Sequence, residues 1–379
     1  MSPSEASSSR DLLPASADPT LLETPVGYVD LRRVAANAER VAKYASAHGL
    51  GWRPHIKTHK SRAIARIQLE AGAVGLTVAT LHEAEVMATL TDDLLLAYPP
   101  VGARKLDRLL RLPLTLDLKV ALDSVEVLQA LATAAEAVGR TVGIVVEQDV
   151  GMGRVGVQSG DAVTGLASRA SDLAGVEFRG ILFYPGHIRM SHEEQGAHLK
   201  DVADRVHETL ERLGAAGLEP GIVSGGSTPT LWRSHEVAGL TEIRSGSCIF
   251  NDREAVDVGV ASRDDLAYTV LATVISTAVP GRAVVDAGSK ALSKETRGNG
   301  GGFGFLLDHP EVVVASLSEE HGVLDLGSTT WRPAIGERVR VVPNHVCVSV
   351  NLQDHLLARD GDQHSLLPLE GRGRGPWKG

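Results

Sequence analysis

Disulfide-forming capacity is almost absent from this sequence: its 379 residues hold two cysteines, Cys248 and Cys347. Two thiols build no disulfide framework and suit a reducing compartment, so a cytoplasmic setting is expected. Long apolar runs are missing too. Nothing approaches the roughly 18 residues that span a bilayer, and the opening "MSPSEASSSRDLLPASADP" carries Ser, Pro and acids where a signal peptide has a basic and then an apolar segment. No membrane partner is expected. Positive charge is not in excess either; a net charge of −9 and a pI near 5.9 give no electrostatic reason to expect nucleic acid.

With 43% hydrophobic and 22% charged residues, the chain can bury more than one core, because a single core rarely grows past about 250–300 residues. We expect a disordered tail over 1–20, a barrel domain over 21–255 and a β-domain over 256–379, with "GRGRGPWKG" as a second polar tail. From about Val26 to Asp252, short β-branched runs alternate with amphipathic stretches of helical length. The runs "WRPHIK", "VGLTVAT", "LLLAYP", "LDLKVAL", "VGIVVEQ", "RGILFY", "GIVSGG" and "LTEIRS" supply the strands of a (β/α)8 TIM-like barrel. After about Leu266 the texture becomes Val- and Thr-rich with Pro-Gly turns, as in "YTVLATVISTAVPGRAVV" and "GERVRVVPNHVCVSV", which predicts a C-terminal all-β domain. The Gly-rich "TRGNGGGFGF" lacks the strand and helix of a phosphate cradle and reads as a loop; the role of 297–304 stays open.

Barrel chemistry sits at the C-terminal ends of the strands, and five of those ends are unusual. Strand one ends at Lys57, strand five runs into "EQDVGMGRVG" with Arg154, and strand six ends at Tyr184. Strand seven ends in "SGGS" with Ser227, and strand eight in "IRSGS" with Arg244, Gly246 and Ser247. Each feature alone is ordinary: a rim charge, a salt-bridge partner, a buried ring, a plain turn. Together, two Gly/Ser turns on adjacent strands aim backbone N–H groups and hydroxyls at one spot, where barrels commonly hold a phosphate. A lysine across from that phosphate suggests pyridoxal 5′-phosphate, held covalently by Lys57. The basic cluster "WRPHIKTHKS" fits this, since Arg53, His55, His59 and Lys60 would lower the Lys57 pKa.

The segments "HIKTHKS", "EQDVGMGRVGV", "IRSGSCIFND" and "PNHVCVSVNL" resemble fold-type III pyridoxal-phosphate enzymes of the D-serine dehydratase and D-threonine aldolase family, related to alanine racemase. The resemblance runs from about Thr24 to His355. It implies that Lys57 carries the cofactor, that Arg154 lies near its phenolic oxygen and Tyr184 beside its ring, and that Ser227, Gly246 and Ser247 form the phosphate turns. Arg244 stands where alanine racemases place an arginine on the pyridine nitrogen.

His345 and Cys347 are two apart in an expected strand, which would point both side chains to one face. Imidazole and thiolate form a borderline-soft pair suited to zinc, yet a lone His-x-Cys more often reflects core packing. The resemblance implies a divalent metal there, beside the substrate's β-hydroxyl: zinc first, manganese or magnesium as alternatives. Dehydratases of the family tend to His-x-Cys and the aldolases to His-x-Asp. The implied function is a lyase acting on a small-molecule D-3-hydroxy amino acid, converting D-serine to pyruvate and ammonia, with Lys57 removing the α-proton and the metal drawing off the hydroxyl. The alternative is a D-threonine aldolase yielding glycine and an aldehyde. An alanine racemase-type enzyme has no use for His345 and Cys347, and non-catalytic cofactor-binding relatives lack the β-domain. A homodimer is expected.

Overall fold

The computed structural model describes residues 22–296 and 301–373. The tail expected at 1–20, residues 297–300 of the Gly-rich run and the last six residues lie outside it. In chain order, β1 (Val26–Asp30) leads into α1 (Leu31–Ala47). Strands and helices then alternate: β2 (Gly51–Trp52), α2 (Arg62–Glu70), β3 (Leu76–Val78), α3 (Leu81–Met87), β4 (Asp93–Leu96), α4 (Ala103–Leu110), β5 (Asp117–Leu122), α5 (Val125–Ala137), β6 (Val142–Gln148), α6 (Gly160–Asp172), β7 (Val176–Phe183), α7 (Gly196–Ala215), β8 (Ile222–Gly225) and β9 (Glu242–Ile243). The chain divides into two compact units, one built on Glu39–Lys57 and Gln68–Gly246, the other on Thr58–Ile67 and Ser247–Arg372 together with β1.

The first unit is the parallel barrel. Its eight strands pair in the order β2-β9-β8-β7-β6-β5-β4-β3, and a bridge between His55 and Thr77 joins the two ends. All eight strands expected from the sequence are present. Helices cover the outside, so β6 is buried along its whole length and opens on the apolar run Val142–Val146. Helix α7 shows the matching signature, burying Leu199, Val202, Val206, Thr209 and Leu213 at helical spacing. Inside, Leu95, Ala121, Val145 and Leu182 make one apolar layer from four consecutive strands. An ion network lies beneath it: Arg53 pairs with Glu242 and Asp93, and Lys119 with Asp93 and Asp117. Gly143 makes room for it, because a Cβ there would meet Arg179 Cγ at 2.8 Å and Lys119 Cγ at 3.2 Å.

In the second unit, short helices α8 (Arg253–Asp257), α9 (Ser289–Leu292) and α10 (Val346–Asn351) accompany β10 (Tyr268–Ser276), β11 (Arg282–Val285), β12 (Gly304–Leu306), β13 (Val314–Leu317), β14 (Gly322–Asp325), β15 (Arg338–Pro343), β16 (His355–Asp360) and β17 (Gln363–Pro368). These strands and β1 form one sheet, ordered β13-β14-β11-β10-β1-β16-β17, with β15 also on β10 and β12 on β15. Every pair is antiparallel except β1 with β16. Tyr268 is fully buried here, its hydroxyl 2.9 Å from that of Ser349 on α10. No helix among the described residues is long and apolar enough to cross a membrane.

Candidate active site

The stretch around Lys57 leaves the barrel sheet earlier than its sequence suggests. Only Gly51–Trp52 is strand, and Lys57 sits in a 3-10 turn, Ile56–Thr58, rather than at a strand end. Pro54 has no N–H to continue a ladder; its carbonyl instead accepts the Thr77 amide at 2.9 Å. Fully buried Ile56 anchors the turn. The Lys57 amine lies 5.9 Å from the centre of the Tyr184 ring, and the Arg154 guanidinium carbon 5.1 Å from the same ring, so three of the expected residues converge.

The basic residues around Lys57 do not act as one cluster. Arg53 points into the barrel, donating to both Glu242 oxygens at 2.9 and 3.0 Å and to Asp93. Its charge is compensated, so its expected contribution to lowering the Lys57 pKa falls away. In the second unit His59 is fully buried and its Nδ1 accepts the Ser61 amide at 3.1 Å, a turn-holding role just before α2.

Arg154 rides on a loop organised by one carboxylate. Asp149 accepts from the amides of Gly151, Met152 and Gly153 and from Gln158 Nε2. Burial alone would raise the Asp149 pKa; these donors outweigh it and hold the carboxyl below its usual range.

The two phosphate-type turns are adjacent, because β8 and β9 pair in register Ser224 to Glu242 and Gly225 to Ile243. Gly226 takes a φ of +83°, a conformation open to glycine. Ser227 follows, its hydroxyl 3.0 Å from that of Thr230, and its carbonyl accepts the Ser245 hydroxyl at 2.9 Å, tying the turns together. A Cβ on Gly246 would meet the His55 carbonyl at 2.3 Å, so bare backbone packs beneath the Lys57 turn. Ser247 opens the 3-10 turn Ser247–Ile249 that follows in the chain.

Arg244 is buried within the barrel, donating to Ser224 Oγ and to the Phe183 carbonyl, both at 2.8 Å. Burial lowers its pKa to about 10 against the pull of Glu147 and Glu242, so it stays cationic at neutral pH. Glu147 answers it: burial raises its pKa while Arg244 and Arg154 draw it down.

His345 and Cys347 lie at a helix start, not in a strand. Strand β15 ends at Pro343, and His345 is the N-cap of α10 with φ −140° and ψ 116°. The turn is held from elsewhere, because Asp252 Oδ2 accepts the Val346 amide at 2.9 Å and lies 3.1 Å from His345 Nδ1. Cys347 Sγ is 3.2 Å from the Thr58 hydroxyl. Ligand atoms of Asp252, Glu254 and His345 lie within 4.8 Å of one another. Burial opposes a charge on His345, but the Cys347 thiolate and the Asp252 carboxylate outweigh it and raise the imidazole pKa to about 11.

Comparison with known proteins agrees with this geometry. Residues 29–254 match the family described as "Alanine racemase, N-terminal domain" and residues 267–358 the "Putative serine dehydratase domain". The 3-hydroxy-D-aspartate aldolase of Paracoccus denitrificans is 32% identical over 94% of both chains. The chain belongs to the D-serine dehydratase and D-threonine aldolase family, fold-type III pyridoxal-phosphate enzymes on an alanine racemase-like barrel. Within that family, the D-threo-3-hydroxyaspartate dehydratase of Delftia is 35% identical, covering 86% of this chain and 92% of its own. A cysteine-to-alanine variant of such a dehydratase, described as the metal-free form, matches with a TM-score of 0.83, 32% identity and coverage of 93% and 99%. The D-threonine aldolase of Filomicrobium marinum matches with a TM-score of 0.87 and 30% identity over 94% of this chain and 99% of its own.

The family's cofactor suits the barrel residues. Paired turns with Ser227 and bare backbone at Gly246 suit a phosphate, and a lysine and an arginine flank an aromatic ring. The surroundings of His345 likewise suit a divalent ion: the Cys347 thiol interacts with the imidazole, and the buried carboxylates of Asp252 and Glu254 set a negative potential around it. Thr58, Glu147, Asp149, Thr230 and Asp252 were not singled out from the sequence. Glu147 and Asp149 left one signal, acids inside the fully buried end of an apolar run, "VVEQDV".

Proposed function

We propose that the chain is a pyridoxal-phosphate- and metal-dependent dehydratase of D-3-hydroxy amino acids, converting D-serine to pyruvate and ammonia. The observation that carries it is the interaction of the Cys347 thiol with the His345 imidazole, a thiolate standing where a carboxylate is expected of the aldolases. Variants of the D-threo-3-hydroxyaspartate dehydratase at a histidine and at a cysteine two positions later have the same spacing, and the cysteine variant is the one described as metal-free. When bound, the cofactor stabilises negative charge at the substrate Cα and the metal acts as a Lewis acid on the β-oxygen. Lys57 holds the cofactor and then takes the Cα proton. Ser227, Gly246 and Ser247 hold its phosphate, Tyr184 and Arg154 flank its ring, and Arg244, with two nitrogens already donated to the protein, presents its charge to the barrel interior. His345 and Cys347 hold the metal, zinc being favoured by the thiolate.

Cys248 and Cys347, neither in a disulfide, suit a cytoplasmic enzyme, and we infer a homodimer, the commonest closed assembly. The test is a product assay. Purified enzyme given D-serine, D-threonine and D-threo-3-hydroxyaspartate separately is expected to release ammonia and the 2-oxo acid faster than glycine. Glycine as the main product from D-threonine would replace this reading with the aldolase.

A further inference from the structure

We propose that Asp252 is a positioning residue for the metal centre: its carboxylate fixes the His345 ring so that Nε2 is the nitrogen offered to the ion. This rests on the reading that His345 and Cys347 hold the metal. Asp252 is the N-cap of α8, and its Oδ1 accepts the Ala255 amide at 3.0 Å. The other oxygen accepts the Val346 amide at 2.9 Å and lies 3.1 Å from His345 Nδ1. An ionised carboxylate only accepts, so the hydrogen of that contact stays on Nδ1, and Nε2 is the nitrogen whose proton a metal ion displaces to take the lone pair. The side chain is 3% exposed, and three protein donors occupy its two oxygens. It is built to hold a ligand rather than to be one. Glu254 Oε2, 3.8 Å from the same nitrogen, is too distant for a hydrogen bond but keeps negative potential on the Nδ1 side.

The same carboxylate fixes the backbone that carries Cys347. Val346 is the first residue of α10, so its bond to Asp252 sets where the helix begins and hence where the thiol at the next position points. Loss of such a partner typically weakens metal binding by about 10–100-fold.

The experiment measures zinc affinity of the cofactor-loaded protein by competition with a chromophoric chelator, alongside the thermal midpoint of the metal-free form. Asp252→Asn and Asp252→Ser both retain good N-cap residues for α8, while each removes the carboxylate facing His345. His345→Ala is run in parallel. Both Asp252 variants should bind zinc about 10–100-fold more weakly with little change in midpoint, and His345→Ala should lose binding more severely. Wild-type zinc affinity in the Asn and Ser variants, with binding lost in His345→Ala, would overturn the role of Asp252 alone. A lowered midpoint with unchanged affinity would do the same, leaving Asp252 a helix cap. Unchanged affinity in His345→Ala would overturn the metal reading beneath the proposal.

Discussion

The Thr58 hydroxyl lies 3.2 Å from the Cys347 sulfur, and the Thr58 side chain is buried. A hydroxyl at that distance donates to a thiolate and stabilises it. Thr58→Val removes the donor at nearly constant volume. A hydrogen bond to a charged group contributes about 1.5–3 kcal/mol, so losing this donor disfavours the thiolate. Iodoacetamide should then alkylate Cys347 in metal-free protein along a pH–rate profile displaced to higher pH, with buried Cys248 as internal control. Unchanged alkylation in the Val variant would mean that Thr58 does not support the thiolate.

Asp149 gives the loop bearing Arg154 a defined acid sensitivity. Its folded pKa is depressed, so the stability it contributes is present above the unfolded value of about 3.9 and is lost as pH falls through the folded one. Asp149→Asn should cost about 1–3 kcal/mol at pH 7. The difference from wild type should shrink below about pH 4 in urea titrations. A difference independent of pH would show that the carboxylate's charge is not what holds the loop.

Arg53 is predicted to matter for folding rather than for tuning Lys57. Arg53→Leu strands Glu242, which is 5% exposed, without its cation. Removing one partner of a buried pair costs about 3–5 kcal/mol, measurable as a lower urea midpoint. A variant of wild-type stability would return Arg53 to the list of residues acting on Lys57.

These residues mark where the sequence could and could not be read. The barrel was legible because parallel strands covered on both faces carry apolar runs such as Val142–Val146. The Ser227 and Gly246 turns were legible because their spacing places them on neighbouring strands. Arg53 was misread because its partners Asp93 and Glu242 lie 40 and 189 residues away. His345-x-Cys347 was visible as a pair, yet its backbone was taken for strand, since the carboxylate that turns it into a helix start lies 94 residues from Val346. Strand β1 followed by α1 looks like one more βα unit, and only its pairing with β10 and β16 places it in the other sheet.

Lys57 should be the residue that carries the cofactor. Borohydride reduction of active enzyme followed by peptide mapping is expected to place the added mass on the peptide containing Lys57, and Lys57→Ala should lose the bound-cofactor absorption. An unmodified Lys57 peptide from fully active protein would remove this assignment.

Pyruvate formation from D-serine, followed as the cofactor-loaded enzyme is stripped of metal with a chelator and then resupplied with zinc, tests the central claim most directly. Stripping should abolish pyruvate formation while the cofactor absorption stays in place, and zinc should restore it, because the residues proposed to hold the cofactor differ from those proposed to hold the metal. Undiminished pyruvate formation by the stripped enzyme would contradict the account.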